Sequence, residues 1–438
     1  MGMDGAALLP LLKLAAAFGV VVLLLRLSVQ VGPAMAAGAV VLGLLFSLAP
    51  WTLLRTLAAS LVNPGAGTLA AIISLIFVLS NSMERLGQME SLLARSRRLV
   101  GGSRWGLLAF PTLIGLLPMP GGAYFSAPLL DAFDPAGRLP PALKSFLNYW
   151  YRHIWEYSWP LFPGVLLTCA IAGLELWLFI LVASPMTLLA VAGGLPHFLA
   201  IPRNGVQAAG GGGDPPVEGL LRPLAPLILA LTPGVIYGLG VEGTGPESIL
   251  RHLPKETGLA AGLLAAVLWC WRDGGAGWTQ IRVIVLDGKL VRLWASVAGV
   301  FLFRGVLEQS GAALAVGQVL ARMEIPPWTV AVALPLVTGV VTGMTLPFVG
   351  IAFPVVVNLA LAAALPVPVL PLMVLALVAG FTGSLLSPIH LCLLLSNEYF
   401  HASLPGVYRY LWLPCLILLG GGVAYYAALQ GLGAATLP

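Results

Sequence analysis

Leu117–Leu130, LPMPGGAYFSAPLL, and Thr342–Val356, TGMTLPFVGIAFPVV, are the stretches whose reading decides the fold. Each sits within apolar sequence yet is broken by proline and glycine, which leave backbone amides and carbonyls without helical partners. In hydrocarbon such a break is tolerated only where protein buries it or where it lines a cavity. Two breaks in corresponding places of one chain are the sequence mark of inverted repeats that build a binding site at their interface.

The surrounding sequence fixes the solvent. Apolar residues make up 59% of the 438 positions and charged residues 9%, and the mean hydropathy is +0.97. A soluble core wrapped by a charged surface does not have that composition. Apolar stretches such as Leu8–Leu25, Val31–Leu48, Leu69–Val78, Val165–Leu181 and Leu259–Cys270 recur along the chain, enough for roughly ten to twelve spans. The strict alternation of a membrane β-barrel is absent, so the expected class is an all-α polytopic membrane protein. The first apolar segment carries Lys13 within it and Arg26 at its end, and no small-residue cleavage site precedes the next, so it reads as a retained helix. The net charge of +5 carries no basic patch interleaved with aromatics, which argues against a nucleic-acid partner. Cys169, Cys270, Cys392 and Cys415 lie in apolar runs without CxxC spacing, so they read as buried inert thiols and no metal site is expected.

Working outward from the two breaks, the flanking patterns repeat at an offset of about 225 residues. An apolar helix ending near Asn81 leads into Met83–Gln88 and an amphipathic stretch to Val100; a helix ending near Phe303 leads into Leu307–Gly311 and an amphipathic stretch to Met323. Further apolar segments, Trp105–Leu117 and Trp328–Val341, then reach the breaks. Arg85, Arg95, Arg97, Arg98 and Arg104 place the first loop on the cytoplasmic side by the positive-inside rule, whereas its counterpart holds only Arg322 beside Glu308 and Glu324. Equivalent loops on opposite faces make the repeats inverted. Arg272, Arg282, Lys289 and Arg292 mark a second cytoplasmic segment. The expected organisation is N-terminal helices over 1–65, a first repeat over 66–200 with its break at 117–130, a connector with extra spans over 201–290, and a second repeat over 291–438 with its break at 342–356. The connector carries the glycine run Gly210–Gly213 and polar loops around Asp214 and Glu242, with a span expected from Leu224 to Leu239.

The candidate binding residues follow from the breaks. Pro120, Gly121, Gly122 and Ser126 in the first, and Thr342, Gly343, Thr345, Pro347 and Gly350 in the second, offer half-helix N-termini suited to an anion and hydroxyls or carbonyls suited to Na+. The bland reading is a pair of proline kinks. A second constellation, LNYWYRHIWEYSWPLFPG, carries Asn148, Arg152, His153 and Glu156; in a continuous helix Arg152 and Glu156 stand i, i+4 and His153 and Glu156 i, i+3. Such a cluster at membrane depth marks a pathway, unless Trp150, Trp155 and Trp159 form an interfacial aromatic belt that holds it at headgroup level. Its counterpart, GSLLSPIHLCLLLSNEYFHA, supplies Ser387, His390 and Glu398. His153, Glu156, His390 and Glu398 are the candidates for proton or ion coupling.

Met119–Asp131, Asn148–Gly164 and Ser387–Phe400 resemble the integral membrane family known as domain of unknown function 401, and the similarity covers most of the chain. That family is in turn similar to the ion transporter superfamily of gluconate, citrate, dicarboxylate and arsenite carriers. The resemblance implies a homodimeric carrier with scaffold and transport domains, two re-entrant hairpins, and an anionic substrate driven by Na+ or H+. Thr342–Thr345 stand where a Ser-Asn-Thr sodium motif would be, a departure from the superfamily pattern.

The expected function is therefore secondary transport of a small organic anion by elevator-like alternating access and symport, in the cytoplasmic (inner) membrane, with no cofactor beyond a coupling ion and no enzymatic step. The rival expectations are an intramembrane metal-dependent enzyme using His153, Glu156 and His390, and a flippase for a lipid-linked precursor. Bound metal would favour the first and a lateral opening toward lipid the second.

Overall fold

The computed structural model describes residues 8–100, 103–119, 121–202, 218–241, 256–362 and 367–431. Gly210–Gly213, Asp214, Glu242 and Pro120, all singled out by the sequence, lie outside the described residues. Among those described, every regular element is a helix.

Three helices lead: α1 (Leu9–Arg26), α2 (Val31–Leu45) and α3 (Pro50–Leu61). There follow α4 (Pro64–Arg85), α5 (Gln88–Val100), α6 (Gly106–Gly115), α7 (Ala123–Asp131), α8 (Pro141–Arg152), α9 (Pro163–Ala172) and α10 (Leu176–Leu199). After α11 (Glu218–Val241), α12 (Thr257–Asp273) and α13 (Trp278–Val285) the same succession returns. Its members are α14 (Gly288–Gln309), α15 (Ala312–Arg322), α16 (Pro327–Thr342), α17 (Thr345–Ala362), α18 (Val369–Leu385), α19 (Leu391–Phe400) and α20 (Leu404–Gly431).

Local chemistry sets these limits. Asn63 caps α4, its side-chain oxygen accepting from the amides of Gly65 at 2.9 Å and Ala66 at 3.3 Å, with Pro64 pre-set for the first turn. Glu175 caps α10 in the same way through Trp177 and Leu178. Gly173, at φ +67°, ends α9, and Gly343, at φ +62°, ends α16, each taking the left-handed turn that only glycine adopts freely. The stretch Val165–Leu181, which the sequence offers as one apolar segment, is therefore split at Gly173–Glu175.

Six segments are long and apolar enough to cross a membrane: Leu9–Arg26, Pro64–Arg85, Leu176–Leu199, Leu221–Gly238, Trp278–Gln309, which comprises α13 and α14, and Leu404–Gly431. Other apolar helices, among them Gly106–Gly115, Pro163–Ala172, Pro327–Thr342 and Val369–Leu385, are shorter. The expectation of about ten to twelve full spans treats each apolar run as one helix. Proline and glycine divide several runs into half-length pieces instead. The connector holds α12 packed along α11 beside the expected span, with Gly262 set against the backbone of Leu229 and Ala230.

Equivalent helices of the two copies run antiparallel. At one end of the α4/α14 pair, Arg85 Nη2 lies 3.8 Å from Asp287, the cap of α14. Midway, Trp294 Nε1 donates to Ser74 Oγ at 2.6 Å. At the far end Asn63 lines one cavity with Glu308 and Gln309. In the α10/α20 pair Tyr425 donates to the carbonyl of Val182 at 2.8 Å, while Gly193 packs on Pro414. The residue numbers rise on one helix as they fall on the other, as inversion requires. The basic segments also meet: Asn81 Nδ2 donates to the carbonyl of Ile284 at 3.3 Å and Gln88 Nε2 to that of Cys270 at 3.1 Å.

Close packing rests on small residues. A Cβ on Gly339 would stand 2.1 Å from the carbonyl oxygen of Gly380, and one on Gly383 2.1 Å from that of Leu336, so α16 and α18 touch backbone to backbone. Gly32 and Gly299 do the same for α2 and α14. Membrane helices lack a water-driven attraction for one another, and such close approach supplies van der Waals contact in its place.

Candidate functional site

The two expected breaks are joined by two more. α8 and α9 are separated by His153–Phe162, which contains only a 3-10 turn at Ile154–Tyr157, and α18 and α19 by Leu386–His390. α7 packs on α19 and α17 on α9, so each repeat's first break lies against the other repeat's second. Gly164, at the start of α9, faces Thr345 at the start of α17, leaving no space for a Cβ.

The second pair of breaks has a local cause. The Nδ1 atom of His153 lies 2.6 Å from the carbonyl of Tyr149, the acceptor its own amide would use in a continuing helix. That amide shifts to the carbonyl of Trp150 at 3.0 Å, and the α-helix stops. In the other repeat Pro388 has no amide to offer Ser384, whose carbonyl instead accepts from the Ser387 amide at 3.1 Å and lies 3.0 Å from His390 Nδ1. A carbonyl only accepts, so both imidazoles carry their proton on Nδ1 and leave Nε2 as the lone-pair nitrogen. The rings meet edge to face with centroids 5.0 Å apart. They come from equivalent connections but not equivalent positions, since His153 opens one and His390 closes the other.

Arg152 ends α8 and is 5% exposed. Its Nη2 donates to the carbonyl of Met119 at 2.5 Å and its Nη1 to Cys392 Sγ at 3.1 Å. Its guanidinium fills the space beside Gly122, where any side chain would collide with it. The expected i, i+4 pairing of Arg152 with Glu156 is not formed, because α8 stops at Arg152 and the 3-10 turn carries Glu156 elsewhere. Glu156 instead accepts from Thr345 Oγ1 at 3.3 Å and sits 3.9 Å from His153 Nε2. Arg152 makes no ion pair among the described residues.

Asn148 donates to the carbonyl of Ala123 at 3.1 Å and to Ser396 Oγ at 2.9 Å, tying α8 to α7 and α19. Buried atoms gather here without a hydrogen-bonding partner among the described residues: Arg152 Nε, Asn148 Oδ1, Ser384 Oγ and Ser387 Oγ. Native interiors hold few such atoms. Ser387 Oγ lies 2.8 Å from where a Cβ on Gly343 would stand, and Thr342 Oγ1 is bonded to the carbonyls of Thr338 and Met344.

Other sequence candidates are placed differently. Gly121 takes φ +81° at the turn into α7, beside Leu395. Ser126 is buried and bonds back to its own helix at Gly122 and Ala123. Pro347 is buried in the first turn of α17, and Gly350 packs against Val300 of α14 as a helix-contact glycine. Glu398 is exposed, next to Tyr124. Trp150 is buried with its indole donating to Ala190, so the three tryptophans do not form a belt at a surface. Trp155 and Trp159 donate to the carbonyls of Thr112 and Leu116, both at 2.9 Å. They satisfy end groups that α6 leaves open at the break.

Cys392 is the residue the sequence misplaces. A cysteine in an apolar run reads as inert, yet its sulfur, one nitrogen of His153 and one of His390 all lie within 4.8 Å of one another. Met119 and Ser396 join the site through contacts that no local pattern announces.

Comparison with known proteins adds one match and one blank. No curated protein matches the chain. Residues 10–205 and 279–427 match a family described as "Protein of unknown function (DUF401)", and the gap between the matched regions holds α11 and α12. Since the matched regions cover both helical copies and all four breaks, the chain belongs to the DUF401 family.

Proposed function

We propose that the protein is a secondary carrier of a small organic anion, bound between the four helix breaks with Arg152 as its counter-charge. The single observation that carries this reading is the guanidinium of Arg152, buried and without a carboxylate partner. An uncompensated charge in the interior costs several kcal/mol, and a charge-bearing ligand offsets it. A carboxylate between Gly122 and Asn148 would take the free Arg152 Nε, while the N-terminal ends of α7 and α17 add partial positive charge. Ser384 and Ser387 hydroxyls supply further polar contacts. The inverted arrangement supports alternating access by rigid-body displacement of one set of helices, with no covalent step.

In this reading the joined basic segments, around Arg85 and Arg282, face the cytoplasm, the membrane is the cytoplasmic one, and the carrier works as a homodimer coupled to H+ or Na+. Kinship with the ion transporter superfamily belongs to the same proposal. Uptake of labelled mono-, di- and tricarboxylates into proteoliposomes, under imposed Na+ or pH gradients, tests it. Uptake of one anion class that one gradient accelerates supports the reading; uptake of cations or neutral solutes alone refutes it.

A further inference from the structure

We propose that His153, His390 and Cys392 form a binding site for one soft monovalent metal ion of the cuprous type, held across the two inverted repeats. The inference stands apart from anion transport and departs from the sequence expectation of no metal.

Geometry carries it first. One nitrogen from each imidazole and the Cys392 sulfur already lie within 4.8 Å of one another, and all three residues are buried. Ligands around one small ion stand closer together than that, about 3.3 to 3.9 Å apart for metal–ligand bonds near 2.0 to 2.3 Å. A side-chain adjustment of under an ångström to about 1.5 Å closes the set.

The protonation pattern points the same way. Each histidine spends its Nδ1 on a backbone carbonyl, Tyr149 for one and Ser384 for the other. Metal-binding histidines are oriented by this kind of outer bond, which fixes the tautomer and frees the opposite nitrogen. Here the same bonds create the helix breaks, so two ligands are pre-positioned by the backbone.

Ligand softness selects the ion. Arg152 Nη1 lies 3.1 Å from the Cys392 sulfur, which therefore faces a polar site and not only leucines. The sulfur and imidazole ligands, with no carboxylate among them, select against hard ions such as Mg2+ and Ca2+. A thiolate with two imidazoles is also a ligand set that cuprous copper accepts. Because His153 belongs to one repeat and His390 and Cys392 to the other, the bound ion would clasp the breaks together.

The test is anaerobic titration of the purified full chain with Cu(I) against a chromophoric Cu(I) chelator, with Zn2+ in a parallel arm. One equivalent of Cu(I) withheld from the chelator is expected, with affinity falling at least tenfold in Cys392→Ser and in His390→Gln. No withheld copper, copper bound equally by Cys392→Ser, or stoichiometric zinc bound more tightly than copper would overturn the proposal. Should the variants fail to fold, X-ray absorption of the copper-loaded native chain decides: a shell with one sulfur and two imidazoles is expected, and a shell lacking sulfur contradicts it. Anion uptake is not read in either arm, so failure here leaves the carrier reading to its own experiment.

Discussion

The guanidinium of Arg152 occupies the volume a side chain on Gly122 would need: a Cβ there would stand 2.5 Å from Nη2 and 2.8 Å from Nε. Gly122 is thus the floor on which the only buried arginine among the described residues rests. Contact at this point couples the first break to the end of α8, and it makes the glycine a determinant of where the charge sits.

Gly122→Ala should leave the helices intact but push the guanidinium off Met119 and Cys392. The φ of Gly122 is −56°, which alanine adopts without backbone strain, but moving the buried guanidinium off both partners should lower the thermal midpoint. Substrate binding is expected to weaken tenfold or more, on the order of 1.4 kcal/mol. Gly121→Ala, at φ +81° and away from Arg152, should cost folding stability through backbone strain with less effect on substrate binding, and ligand titration beside differential scanning fluorimetry separates the two.

The indole donors of Trp155 and Trp159 satisfy the open end of α6. Replacing either by phenylalanine keeps the ring and deletes the donor, leaving a carbonyl unpaired at a cost of about 1–3 kcal/mol. Both variants should lower the thermal midpoint in detergent, and Trp159→Phe should not alter which anion is bound.

Backbone contact between α16 and α18 leaves no room at Gly339, whereas Gly19 on α1 has open space around it. Gly339→Val should force the helices apart and cost about 1–3 kcal/mol or more. Gly19→Ala, in an exposed helix, should be neutral or stabilising by about 0.5–1 kcal/mol. Midpoints measured side by side check the contrast.

Antiparallel pairing of α4 with α14 predicts that α5 and α15 emerge on opposite faces. The native thiols are all buried, so introduced cysteines report cleanly. Glu90→Cys and Arg322→Cys, both at exposed positions, should react with a membrane-impermeant maleimide from opposite sides of sealed vesicles. Labelling of both from one side would contradict the inverted arrangement.

The breaks at Leu117–Leu130 and Thr342–Val356 were legible because proline and glycine act locally, through φ restriction and a missing amide. The antiparallel copies were legible because charge in short loops is a one-dimensional signal. What escaped was set by partners distant in sequence. The helical continuation from Arg152 to Glu156 fails because the His153 side chain competes for Tyr149, a choice invisible to i, i+4 spacing. Cys392 looks inert among leucines until α19 is laid against α8, hundreds of residues upstream. Gly350 resembled a site glycine because glycine serves both broken backbone and helix contact, and only Val300 tells them apart.

The central claim is that a small anion settles on Arg152, and a thermal-shift screen of carboxylates against native protein and Arg152→Gln tests it most directly. A ligand that binds only the folded state raises the midpoint by mass action. The account predicts a carboxylate that stabilises the native protein in a dose-dependent way and loses at least nine-tenths of that shift in Arg152→Gln. Equal stabilisation of both proteins, or stabilisation by cations and neutral solutes with none by anions, would contradict it.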